Sequence, residues 1–73
     1  MNRLGNKLLN SVELSYIGKM AEAKGNLAVY LENPVGVGEH SSITTEIKGF
    51  IETIANAKDA LEVILEVKKN ENS

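Results

Sequence analysis

The chain has 73 residues, with 8 Lys and Arg against 10 Asp and Glu for a formal net charge of −2, and it contains no cysteine. That size allows one domain at most, with a core that is marginal unless something staples it, and without cysteine neither a disulfide nor a thiolate metal site does so. The charges are scattered and leave no basic face of the kind a duplex-binding module carries, so nucleic acid is disfavoured as a partner.

The first residues, Met1 to Asn10, carry Arg3 and Lys7 but no continuous apolar stretch, which makes a poor secretory signal. The longest apolar run, Leu27 to Leu31, falls far short of the roughly 20 residues needed to span a bilayer. The chain is therefore expected to be soluble and cytoplasmic, with no membrane partner.

A first helix is expected over about residues 7–32. Leu9, Val12, Tyr16, Met20, Ala23, Leu27 and Tyr30 follow steps of three or four and form one stripe, with Ile17 and Leu31 beside it. Gly18 and Gly25 weaken this helix, since an interior glycine costs up to about 1 kcal/mol relative to alanine. The helix should depend on tertiary packing, and close approach of another backbone accounts for the two glycines.

Residues 33–41 form the connecting loop. The residue before a proline is pushed out of the α region and proline lacks an amide donor, so Asn33-Pro34 stops the first helix. Gly36 and Gly38 then permit the corners of a crossover, and Ser41 or Ser42 offers a side-chain oxygen to the first amides of the second helix. The capping box is incomplete, because Thr45 stands at the third position after Ser42 and Glu46 comes one place late.

The second helix, about residues 42–68, carries the clearest signal. Ile43, Ile47, Phe50, Ile54, Ala57, Leu61 and Ile64 alternate steps of four and three without a break, the spacing of a coiled-coil seam. Ile51 and Leu65 widen the stripe on one flank, as happens when a helix packs against more than one neighbour. Glu46, Lys48, Glu52, Lys58, Asp59, Glu62 and Glu66 hold the opposite, solvated face. The tail at residues 70–73 has nothing to bury and is expected to fray.

Two helices of matched length and a short loop predict an all-α antiparallel hairpin, a single domain over residues 1–73. Its core residues are Tyr16, Met20, Leu27 and Tyr30 facing Ile43, Ile47, Phe50, Ile54, Leu61 and Ile64. A lone hairpin of this size buries little, so homodimerisation into a four-helix bundle is the natural remedy.

Residues suited to chemistry are few. His40, the single histidine, stands beside Glu39, yet a zinc or iron site needs three or four converging ligands. Gly36-Val37-Gly38 resembles an anion nest, but without the third glycine of a dinucleotide fingerprint or the Lys-Ser/Thr of a P-loop it reads as turn geometry. Ser41, Ser42, Thr44 and Thr45 lack the partners of a nucleophilic triad. No catalytic, cofactor-binding or metal-binding residue is assigned, and the chain is read as no enzyme.

The stretch Tyr30-Leu31-Glu32-Asn33-Pro34-Val35-Gly36-Val37-Gly38-Glu39-His40, with the isoleucine-rich helix behind it, resembles short helical-hairpin proteins of large tailed bacteriophages, many from marine genomes. The similarity covers about residues 27–65. This chain departs from it at Ser41, where those proteins tend to have a proline suited to the first turn of a helix. The resemblance supplies no ligand or catalytic residue, but it implies expression in a host cytoplasm and a host or phage protein as partner.

These readings converge on a small self-associating interaction module, an adaptor, modulator of a host protein or assembly chaperone, whose first partner is itself. The alternative is an oligomeric sponge or sensor for an anion or nucleotide, framed by Gly36, Gly38, Glu39 and His40.

Overall fold

The computed structural model describes residues 2–34 and 42–72. Two helices take up nearly all of them: α1, Arg3–Glu32, and α2, Ile43–Asn72, each of 30 residues. Among the described residues there is no strand. The helices pack along each other as a hairpin 51 Å long and 16 Å across. Its radius of gyration is 16.3 Å, against about 11 Å for a compact domain of this chain length.

α1 begins at Arg3, earlier than the apolar periodicity places it. The Asn2 side chain accepts a hydrogen bond from the Gly5 amide at 2.7 Å, and the Asn2 carbonyl accepts one from the Asn6 amide at 3.0 Å. Asparagine is a strong N-cap, and it starts the helix before any apolar residue is needed. The other end stops ahead of Pro34, with Asn33 at φ −143°, ψ 66° and its amide donating to the Val29 carbonyl at 3.0 Å.

α2 opens with the Ser42 carbonyl accepting from the Glu46 amide at 2.9 Å. Glu46 in the first turn and Lys69 in the last each complement the helix dipole. The backbone stays helical to Asn72, beyond the expected end near Lys68.

Two contacts fix the register. The rings of Tyr30 and Phe50 meet edge to face with centroids 5.0 Å apart and planes at 75°. Lys68 Nζ donates to Glu13 Oε1 at 2.8 Å towards the other end. Early residues of α1 thus lie against late residues of α2, so the helices are antiparallel. Carried along the heptad spacing, this register sets Leu27 level with Ile54, Ala23 with Ala57, Met20 with Leu61 and Tyr16 with Ile64.

The core is thin. Ala23, Ala57 and Ile64 are buried, and the other seam residues are half-buried. An extra Cβ at Gly18, Gly25 or Gly49 would meet nothing within 4 Å, so the close backbone approach expected at Gly18 and Gly25 does not occur within the hairpin. Among the described residues no helix is long and apolar enough to cross a membrane.

Candidate interaction surface

Tyr16, Met20, Leu27 and Tyr30 from α1 and Ile43, Ile47, Phe50, Ile54 and Leu61 from α2 are half-buried along the line where the helices meet, and Ile64 is buried there. On α2 the line follows steps of four and three from Ile43 through Ile64 to Lys68. On α1 it runs through Leu9, Glu13, Tyr16, Met20, Ala23, Leu27 and Tyr30. Val12, expected in this stripe, is 46% exposed, and the half-buried Glu13 takes the place instead.

The exchange has a physical reason. A search for apolar residues passes over a glutamate, but Glu13 is at the regular four-residue step after Leu9, and Lys68 is at the same step after Ile64. The two meet and neutralise each other in the seam, where either alone would be an unpaired, partly desolvated charge. The signal in the sequence was the unbroken heptad count, which lands on opposite charges at matching levels.

The loop end of the seam is also polar. Tyr30 Oη donates to Glu46 Oε2 at 2.7 Å while its ring lies against Phe50. Glu46 remains exposed, as the solvated-face reading has it, but it is tied across the helix pair and not free in water. The hydrogen bond to this carboxylate holds the Tyr30 hydroxyl above the ordinary phenol value. Loss of solvation and the carboxylate's negative charge act in the same direction.

Outside the seam the hairpin exposes Leu4, Leu8, Leu14, Ile17, Val29, Leu31, Ile51, Val63, Leu65 and Val67 in addition to Val12. Scattered single apolar residues are ordinary on protein surfaces, but among the described residues exposed large apolar side chains outnumber buried ones. One shallow groove of about 300 Å³ is lined by Lys19, Glu22, Ala23, Asn26, Phe50 and Thr53. Its rim is mixed in charge and it is open to solvent, so it holds no enclosed site for a small molecule.

Gly36, Gly38, Glu39 and His40, the loop set considered for ligand recognition, lie outside the described residues. Among the described residues no three His, Cys, Asp or Glu side chains come together in a way that could hold a metal ion. Every described buried side-chain nitrogen or oxygen has a hydrogen-bond partner. The Glu13–Lys68 ion pair and the Tyr30–Glu46 hydrogen bond mark the two ends of the packed seam. Comparison with protein-family models, curated proteins and solved structures finds no match for this chain.

Proposed function

We propose that this chain is a self-associating helical interaction module, a homodimer or larger assembly built as a four-helix bundle, which serves another protein as adaptor, modulator or assembly chaperone and performs no catalysis itself. The observation that carries this reading is the imbalance of the hairpin: among the described residues, three are buried against eleven large apolar side chains left exposed. The total accessible surface points the same way. The chain exposes 5600 Å², whereas a compact monomer of its mass exposes about 4,400 Å². A second copy removes surface of that order.

The resemblance of the loop sequence to short phage proteins is the reason for placing a host or phage protein among the further partners. The test of self-association is thermal unfolding followed by far-UV circular dichroism over a hundredfold range of protein concentration. Assembly that favours the folded state raises the midpoint with concentration by mass action, by several degrees over that range. A midpoint that does not move contradicts the proposal.

A further inference from the structure

We propose that a second copy of this chain docks on one particular face of the hairpin, the one carrying Ile17, Lys24 and Leu31 from α1 and Ile51, Lys58 and Leu65 from α2. This deepens the self-association reading and rests on it. Each of the six residues directly follows a seam residue: Tyr16, Ala23 and Tyr30 on α1, and Phe50, Ala57 and Ile64 on α2. In an antiparallel pair such residues lie on the same side of both helices, because reversing a helix and turning its seam to face the other way cancel.

The two helices present the same triplet, Ile, Lys and Leu, at seven-residue spacing. Because they run in opposite directions, Ile17 is level with Leu65, Lys24 with Lys58, and Leu31 with Ile51. The face is thus unchanged in character by a half-turn about its centre. Closed dimers have two-fold symmetry, and a two-fold interface must be complementary to itself. Whether α1 lies over the partner's α1 or its α2, aliphatic ends meet aliphatic ends and the lysine centre meets the lysine centre.

The four aliphatic residues have no cover in the single hairpin: Ile17 is 45% exposed, Leu31 62%, Ile51 52% and Leu65 59%. Between them the exposed Ala21, Ala28 and Ala55 are small enough for helices to approach, and in the dimer the lysine stems are long enough to lie over them with their ammonium groups at the rim. Glu62, one turn beyond Lys58, puts a carboxylate on the same side of α2. From Ile17 to Leu31 the face is about 21 Å long on a pair 16 Å across, so the six residues form the centre of an interface, roughly 340 Å², which the flanking turns of both helices extend. The opposite face also exposes aliphatic residues, Leu8, Val12, Val63 and Val67 towards the open end and Val29 towards the loop, but Lys19, Glu22, Asn26 and Thr53 interrupt it at its middle.

The full-length chain without cysteine is suited to single-cysteine cross-linking. Lys24→Cys and Lys58→Cys place a thiol at the centre of the proposed face, Asn26→Cys places one on the opposite face, and each is treated with a short bismaleimide. Sedimentation velocity of the parent and of the Ile17→Glu, Leu65→Glu double variant accompanies it. Covalent dimer from Lys24→Cys or Lys58→Cys but not from Asn26→Cys is expected, with the double glutamate variant raising the dissociation constant by on the order of a hundredfold. Cross-linking from Asn26→Cys alone, with the double variant still dimeric, overturns the face and leaves self-association standing. A parent that sediments as a monomer overturns both.

Discussion

Lys68 and Glu13 meet across the seam at 2.8 Å, in the two positions where the heptad spacing calls for an apolar pair. A charge pair there fixes which residue of α1 stands opposite which residue of α2, since sliding either helix leaves a charge among the aliphatic residues. The pair is about a third exposed on both sides, which limits its net contribution. Replacing Lys68 by Met is expected to cost about 1 kcal/mol, while replacing both residues by Leu is expected to be neutral or stabilising by a similar amount. Urea unfolding of the two variants and the parent checks both values.

The opposite end of the seam gives a pH dependence. Because the hydrogen bond to Glu46 raises the folded-state pKa of Tyr30, the neutral phenol is favoured by folding. Its contribution is fully present below the ordinary phenol value of about 10 and is lost as pH rises through the higher folded value. In a Tyr16→Phe background, ultraviolet titration at 295 nm should show Tyr30 ionising above the free phenol, and Glu46→Gln should bring it down. Titration at the free value in both proteins contradicts the Tyr30–Glu46 hydrogen bond.

Ala23 and Ala57 are buried at one level of the seam, one heptad from the Tyr30–Phe50 contact. The helices are held close there because neither side chain extends beyond its Cβ. Ala57→Leu is expected to destabilise the fold by about 1–3 kcal/mol through overpacking. Ile54→Asp, which sets an unpaired carboxylate in mid-seam, is expected to cost about 3 kcal/mol or more and to remove both helicity and assembly. Unchanged circular dichroism and mass for the Ile54→Asp variant would show that Ile54 is not at the seam.

Gly18 and Gly25 have open space where a Cβ would stand. Gly18→Ala and Gly25→Ala are each expected to stabilise the helix by about 0.5–1 kcal/mol, measured as a rise in the urea midpoint. A loss of stability on either substitution would reveal a neighbour packed against the outer side of α1.

The hairpin was legible in the sequence because α2 keeps the four-three alternation from Ile43 to Ile64 with nothing but apolar residues, and Asn33-Pro34 marks the end of α1 unambiguously. The helix starts were less so. Asn2 caps α1 through a side-chain hydrogen bond, which leaves no trace in apolar periodicity. Glu13 was passed over for Val12 because hydropathy carries no information about a partner on the other helix; Lys68 had to be placed opposite before the glutamate made sense. The role of Glu46 was hidden for the same reason, since a carboxylate beside the seam looks like any solvated residue until Tyr30 is brought to it. The flanking Ile51 and Leu65 led to the expectation of more than one neighbour, and the single hairpin leaves both exposed.

Absolute mass by light scattering on a sizing column, measured over a hundredfold dilution, bears most directly on self-association. Two or more chains of 7.9 kDa in one particle, persisting on dilution, is the expected outcome. A particle of one chain's mass at every concentration would contradict it and leave the exposed aliphatic face to a foreign partner.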